Sequence, residues 1–576
     1  MNGEIAKILE EIALFLEMKE VPFKPQAFIK AAESIASLPQ DLSDIYKKEG
    51  ISGLQKIPGV GKGIAEKLEE YIKTKKIKDY EILKKEIPVN LIELSSIEGV
   101  GPKRIYMLYR KLGIKNINDL EKAAKAGKIK GIEGFGEKTQ QSILKHIEFY
   151  RKSSGRFLLS KTLPLARDII LRLKNLKEVK QAEYMGSIRR MQEIVGDLDI
   201  LIISDKPEAV MDFFVSMPEV MEVHSRGATR SSVKFSNGMN SDLRVVPPES
   251  FGAALQYFTG DKQHNVEVRK IAIKKGYKLN EYGLWKGAPM RRIAGRDEKE
   301  IYEKLGMEWM PPEIRTNTGE IEAALRQAQG KPNGLPNLIG YNDLKGDLQT
   351  HSDWTDGQYT IKEMAEGAKK YGLEYIVVSD HTKSLAMTNG NDEKEILEQM
   401  TEIDKIQKEI YGIKILKGAE VDILKDGSLD IEDSVLEKLD VVGASIHSYF
   451  NMSENDMTER IIKAIENPNI DILYHPTGRI VKKREPYKVN IEELIKITKR
   501  TKTILEVDSL ERLDLKDEYV RKVISAGMKI SIDSDSHDIT HFSSLELGIG
   551  QARRGWAEKG DVINTRSWQD MLKLLK

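Results

Sequence analysis

The sequence predicts a multidomain α/β protein, with a helical front, an α/β middle and a C-terminal βα barrel. Three observations predict it. First, three glycine turns, Gly59-Val60-Gly61, Gly99-Val100-Gly101 and Gly134-Phe135-Gly136, each stand just before a helical pattern. Second, an apolar stretch, Ile200 to Ile203, carries Asp197 and Asp199 at its start. Third, short apolar runs after residue 341 end in histidine or acid and alternate with helical patterns, the signature of βα units. A chain of 576 residues suggests roughly three to five domains on size alone.

The glycine turns organise the front. Glycine permits the tight turn, and free amides at the following helix start can hold a phosphate. Lys62, Lys103 and Lys138 follow the three turns and add charge without reading sequence. One such turn says little, but three in succession resemble helix-hairpin-helix motifs, which grip DNA backbones. Charge agrees. Residues 1–340 hold 57 Lys and Arg against 46 Asp and Glu, a net +11. Residues 341–576 hold 34 against 44, a net −10. A basic front suits a phosphate backbone.

Composition excludes other classes. The chain has no cysteine, hence no disulfide or thiolate metal site, which fits an intracellular, cytoplasmic protein and leaves His, Asp and Glu as strong ligands. No apolar run reaches the roughly 18 residues of a membrane span. The N-terminus reads as an acidic amphipathic helix rather than a signal peptide. No zipper pattern is visible, so a monomer is expected.

In the middle, the segment GSIRRMQEIVGDLDILII carries the chemistry. Side chains two apart on a strand share a face, so Asp197 and Asp199 can share a divalent cation with the oxygen ligands magnesium prefers. Gly186 and Ser187 offer donors to a phosphate, and Arg190 adds a forked cation. That is the equipment of a nucleotidyltransferase. A third acid, Asp242, follows downstream.

A Pro/Gly/Asn-rich stretch marks a linker near residues 325–340. Beyond it, THSDWTDG (His351, Asp356), IVVSDH (His381), GAEVDI (Glu420), ASIHSYF (His447), LYHPTGR (His475) and DSDSH (Asp535, His537) follow apolar runs. Residues at strand C-termini gather on one face of a barrel, the usual active-site face.

These pieces, in this order, resemble the DNA polymerase X family. The match covers most of residues 1–320 and runs through FGAALQYFTGDKQHNVEVRKIAIKKGYKLNEYGLW. The back half resembles the PHP (polymerase and histidinol phosphatase) domain, a distorted βα barrel; the combination looks like the bacterial and archaeal form of the polymerase. The resemblance implies a lyase-like helix-hairpin-helix domain (1–80), fingers with further such motifs (81–150), a nucleotidyltransferase palm (151–247), a thumb (248–324), the linker, and the PHP domain (341–576). It implies gap filling in base excision repair, with gapped or primer-template DNA and deoxynucleoside triphosphates as partners. Asp197, Asp199 and Asp242 would hold two magnesium ions, with Arg244 setting their resting state. Ser187, Arg190 and Gly196 would hold phosphates. Tyr257, Phe258 and Gly260 would pack on the incoming sugar, and Asn265 and Arg269 would face the nascent base pair. Met191 stands where the family often has glycine.

For the PHP domain the resemblance implies a 3′–5′ exonuclease using manganese or zinc. Asp356, His381 and His537 would form one metal position; Glu420, His447 and His475 another; His351, Glu420 and Asp535 a third. Two departures stand out. Gln349 replaces the first histidine of a His-x-His pair, and a neutral amide is a poorer ligand than imidazole, so the third position is expected to be weak. Asp508 stands where relatives often carry asparagine. The alternative implied is a polymerase whose PHP domain is structural. Arg479, Lys482, Lys483 and Arg484 form a basic loop that suits either a DNA backbone or solvent. Lys67 matches the position of 5′-deoxyribose-phosphate lyase chemistry, while Phe28 and Phe23 replace the tyrosine and histidine of lyase-active relatives.

Overall fold

The computed structural model describes all residues except 37, 39, 96, 98, 99, 133, 153, 154 and 576, so Gly99 lies outside the described residues. The chain divides into two compact units, Met1–Ser154 with Lys482–Arg484, and Gly155–Val481 with Glu485–Lys576.

The first unit is helical. Its glycine turns sit where the sequence places them. Gly61 caps the helix Lys62–Thr74, and Gly101 caps Pro102–Leu112, where proline at the first turn loses no bond. Gly59 has φ 73°, and a Cβ there would lie 3.1 Å from the backbone of Lys30 and Ala31, so the turn and the close approach both require glycine. Gly134 also has positive φ, and Gly136 precedes the helix Glu137–Lys152. One apolar core, including Leu9, Ile12, Leu68, Ile105 and Leu120, joins these helices.

The second unit holds every strand among the described residues. A two-stranded pairing of β1 (Phe157–Leu158) with β3 (Ile194–Val195) flanks a five-stranded sheet. That sheet contains β2 (Val179–Tyr184), β4 (Asp197–Ser204), β5 (Val220–Arg226), β6 (Arg230–Phe235) and β7 (Asn240–Val245), in the order β2-β4-β7-β6-β5. β4 and β7 run parallel, with Asp199 opposite Asp242. Leu198, Ile200 and Ile202 point into the core, so the acids of β4 face the other way by the two-residue period of a strand.

Next come the helices Phe251–Thr259 and Lys262–Lys274. Asp261 caps the second by accepting from His264 N at 2.8 Å. The three-stranded sheet β8 (Tyr277–Asn280), β9 (Gly283–Lys286) and β10 (Arg291–Ala294) follows. Fully buried Arg315 donates twice to Glu298, and Arg189 forks onto the same carboxylate at 2.8 Å. These bonds tie the sheet carrying the acids to the segment after it. A forked guanidinium–carboxylate pair fixes geometry as well as charge.

His264 lies buried between Glu320 Oε1 at 2.8 Å and the Tyr302 hydroxyl at 2.9 Å. Burial pushes its pKa below the ordinary imidazole value, against the pull of Glu320 and Asp261 and with the help of Arg315. The unfolded chain therefore takes up this proton first as pH falls. The stability it contributes is full above about pH 6.5 and is lost on acidification through the lower folded value. Melting followed between about pH 7.5 and 5 should show a falling midpoint, and His264→Gln should flatten that slope; an equal slope in the variant would refute the assignment.

The barrel consists of β11 (Gly346–Thr350), β12 (Tyr375–Val378), β13 (Lys414–Asp422), β14 (Val441–Ser445), β15 (Ile472–Leu473), β16 (Ile504–Asp508) and β17 (Ile530–Asp533), all paired in parallel in sequence order. A bridge from Thr350 to Ser536 brings the two ends together. Strands buried on both faces read as continuous apolar runs, as Ile376, Val377 and Val378 do. Gly443 is required by packing, since a Cβ there would fall 1.8 Å from the Tyr474 ring. Capping boxes at Thr360–Glu363 and Asp392–Glu395 start two of the outer helices. Among the described residues no helix is long and apolar enough to cross a membrane.

Candidate active sites

Two clusters of acids and histidines stand on the second unit. The first sits on the five-stranded sheet. Asp199 and Asp242 are register partners on β4 and β7, and Asp197 shares their face. Burial first, then Asp197 and Asp242, push the Asp199 carboxyl up to about 7. Burial and Asp242 raise that of Asp197 as well. Three carboxylates on one face repel one another and are oxygen donors of the kind divalent cations take, but their oxygens do not converge as the barrel ligands do, with Asp242 held by its own partners. The resemblance points to Arg244 as their neighbour. The shorter contacts come from two residues that no sequence motif marks: Arg230 Nη2 lies 2.7 Å from Asp242 Oδ2, and the Ser232 hydroxyl donates to Oδ1. Arg244 stays 3.8 Å away and lies over the Phe258 ring at 4.6 Å.

Gly186 has φ 66°, and a Cβ there would sit 3.3 Å from Asp199 Oδ2. It opens the short helix Gly186–Arg189 that carries Ser187. Gly196, by contrast, has open space where a Cβ would stand, so sterics do not demand glycine there. Arg190 donates to the Thr259 carbonyl while its buried Nε has no partner; burial lowers its pKa to about 10. Gly260 has φ 70°, and a Cβ there would approach Arg190 Nη1 at 3.3 Å. Tyr257 and Phe258 meet edge to face at 5.1 Å. Asn265 donates to the Tyr257 carbonyl at 2.6 Å and accepts from Gln256 at 2.7 Å, and Arg269 donates to the Asn265 carbonyl. Hydrogen bonds thus link Tyr257, Asn265 and Arg269 to one another, and Arg190 to the neighbouring Thr259.

The second cluster crowns the barrel. His351 follows β11, His381 follows β12, Glu420 lies on β13, His447 and His475 follow β14 and β15, and Asp535 and His537 follow β17. Glu420 is the hub: its Oε1 lies 2.9 Å from His475 and 3.3 Å from His447, and its Oε2 lies 3.2 Å from His381 and 3.3 Å from His351. Burial alone would raise its pKa, but His381 and His447 hold it well below the usual carboxylate range. Three sets of ligand atoms converge: His351, Asp356, His381 and His537; His381, Glu420 and His447; and His351, Glu420 and Asp535. Membership differs slightly from the expected sets. His351 joins the first and His381 the second, while His475 approaches through Glu420.

The donors fit metal. Both ring nitrogens of His351, Nδ1 of His381 and His475, and Oδ1 of Asp535 are buried without a hydrogen-bond partner, a costly state unless a ligand satisfies them. His475 and Asp535 also have φ 31° and 49°, left-handed conformations that cost on the order of 1–3 kcal/mol each and cluster at functional sites. Asp422, absent from the expected ligand sets, lies 3.4 Å from His447 Nδ1. Its spacing from Glu420, two apart on a strand, is the signal in the sequence that could have found it. With its amide nitrogen toward Glu506, Gln349 donates to Oε1 at 2.6 Å. Asp508 pairs with Arg512 Nε at 3.0 Å, and the same Nε lies 3.6 Å from Asp535. Burial and then Asp535 nevertheless push the Asp508 carboxyl well above its ordinary value, against the pull of Arg512.

Three further expectations are placed. Arg479 is buried and donates to Glu193 and to the Leu513 carbonyl, so it is not available to a DNA backbone. In the first unit, Lys67 lines a cleft of 860 Å³ with Lys24, Phe28, Gly59 and Gly61. Its Nζ is held by the Asp79 carboxylate. Phe23 is exposed. Lys103 pairs with Glu20 at 3.1 Å, while Lys62 and Lys138 lie at exposed helix starts.

Family comparisons agree with this layout. Models match for a helix-hairpin-helix domain (residues 1–77), a SAM-like helix-hairpin-helix tandem (91–148), a DNA polymerase beta thumb (254–316) and a PHP domain (347–510). The chain is 36% identical over 577 residues to the DNA polymerase/3′-5′ exonuclease PolX of Bacillus subtilis (strain 168), covering 100% of this chain and 99% of that protein. It is also 30% identical over 231 residues to a probable phosphatase of Thermoanaerobacter sp. (strain X514), covering 38% of this chain and 89% of the relative. A full-length relationship of this closeness, together with the helix-hairpin-helix, thumb and PHP matches, means that the chain belongs to the DNA polymerase X family, in the form that carries a C-terminal PHP domain.

Proposed function

We propose that this protein is a DNA-directed DNA polymerase that fills short gaps and trims 3′ ends with the exonuclease of its PHP barrel. The observation that carries the reading is the register pairing of Asp199 with Asp242, beside Asp197 and the Gly186–Arg190 turn. Asp197, Asp199 and Asp242 hold magnesium in this reading, which when bound supplies Lewis-acid stabilisation of an in-line displacement at phosphorus. Gly186, Ser187, Arg190 and Gly196 take the triphosphate, with Arg190 exchanging its carbonyl partner for a phosphate oxygen. Tyr257, Phe258 and Gly260 line the sugar, and Asn265 and Arg269 border the base pair. The glycine turns of the first unit track the DNA backbone.

The PHP residues hold manganese or zinc, whose bound chemistry is Lewis-acid-assisted phosphodiester hydrolysis. Glu420 belongs to two of the three ligand sets, and Asp422 and Arg512 orient His447 and Asp535. Gln349 leaves His351, Glu420 and Asp535 still convergent, which favours an active barrel over a structural one. Gapped duplex with nucleotides and magnesium should be filled, and the same protein with manganese and no nucleotides should shorten a 3′ end. Filling without a template would refute template direction. Hydrolysis of sugar phosphates with no shortening of DNA would make the barrel a small-molecule phosphatase.

A further inference from the structure

The turn that the proposed function places on the triphosphate has two sides. Its inner side faces Asp199 and Thr259. Its outer side rests on the PHP barrel. Met191 has φ 49°, a conformation that favours glycine, yet its side chain is only 6% exposed. It packs on Gly550, in the helix Leu545–Arg554: a Cβ at Gly550 would lie 2.8 Å from Met191 Cε and 3.1 Å from its Cβ. From the end of the same helix, Arg554 Nη1 donates to the Arg190 carbonyl at 3.5 Å.

Two residues on, Glu193 receives Arg479 Nη2 at 2.5 Å and Nη1 at 3.5 Å. Arg479 also donates to the carbonyls of Arg512 and Leu513 at 3.1 and 2.6 Å. One guanidinium therefore joins the turn to two barrel loops, those that carry His475 and Arg512. Val481, Leu513 and Leu547 of the barrel complete the apolar core beneath the five-stranded sheet. Arg167 forks onto Glu546 at the rim. A buried ion pair contributes little net stability but holds its members in one geometry.

We propose that the PHP barrel is the seat of the nucleotide-binding turn, with Glu193, Arg479, Met191 and Gly550 as positioning residues that set nucleotide affinity at the polymerase site. This rests on the polymerase reading above. None of the four touches the acids of β4 and β7, so their effect runs through the placement of Ser187 and Arg190.

The test is steady-state gap filling by the full chain, with KM for the nucleotide and kcat measured separately. Glu193→Gln removes the charge that Arg479 holds, and Gly550→Leu drives a side chain into Met191. Each should raise KM by about tenfold while changing kcat less than about threefold. Manganese-dependent 3′ shortening should be unchanged in both. Adding Met191→Gly to Gly550→Leu removes the colliding atoms and suits the positive φ, so the double variant should return KM to near the wild-type value. Such suppression is a coupling that independent destabilisation does not produce. Circular dichroism and melting establish that each variant is folded; where Gly550→Leu does not fold, Glu193→Gln decides. Unchanged KM in the folded variants, with the wild type filling gaps, would overturn the seat and leave the polymerase reading intact. A wild type that fills no gap would overturn that reading itself, and this proposal with it.

Discussion

Replacing Asp199 with alanine is expected to lower gap filling by at least about 1,000-fold, the rate equivalent of about 4 kcal/mol, while DNA binding persists. Asp199 is the middle acid of the three and the one closest to Gly186, with Asp242 directly across on the neighbouring strand. No neighbouring residue can take its place, because both flanking acids are already committed to the same face. Its raised pKa adds a second expectation. The folded pKa of about 7 exceeds the ordinary carboxyl value near 3.9. Without metal, ionising this group therefore opposes folding, and stability falls as pH rises from about 4 to 7. Asp199→Ala should consequently melt at a higher temperature than the wild type in chelator above about pH 7, and the difference should shrink when magnesium is added. Single-turnover gap filling, a gel shift on gapped DNA and melting with and without chelator measure all three effects. Residual filling within tenfold of wild type would remove Asp199 from the metal set.

The expected metal acids are legible in the sequence because strand periodicity is local: two acids two residues apart on an apolar run have to share a face. The glycine turns are legible for the same reason, since φ 73° at Gly59 and the cap at Gly61 are properties of a few consecutive residues. The barrel follows from apolar runs that each end in a histidine or acid. What the sequence does not show depends on residues far apart in the chain. Arg230 and Ser232 reach Asp242 from an adjacent antiparallel strand, and nothing in their own neighbourhood announces it. Glu298 and Arg315 read as ordinary charged residues until folding buries them against Arg189. Arg479 stands in a run of cations that suits a DNA contact, yet it is taken up by Glu193, 286 positions away. The substitution at Gln349 is visible, but its consequence depends on Glu506 lying across the barrel on β16. Asp422 is accessible to the same period-two argument that finds Asp197 and Asp199; the family pattern, which places the ligand at Glu420, draws attention away from it.

Glu420→Ala is expected to abolish 3′ shortening, by on the order of 1,000-fold or more, and to leave gap filling in place. Four histidines converge on this one carboxylate from four different strand ends. Its removal takes away the shared ligand and leaves buried imidazoles facing one another. The imidazoles that remain are neutral donors without the anionic oxygens that balance the charge of a bound cation. The measured metal content after dialysis should therefore fall together with the nuclease, which a merely indirect effect on DNA binding would not produce. An Asp535→Ala/His537→Ala double variant tests the opposite rim, where His351, Asp356 and Arg512 also meet these residues. It should lose shortening while keeping Glu420 with His447 and His475. A partial loss of bound metal from this variant, together with loss of shortening, would locate the catalytic ion on the His351 side, next to Gln349. Full shortening by either variant would instead place the nuclease outside these residues and make the barrel a scaffold for the polymerase.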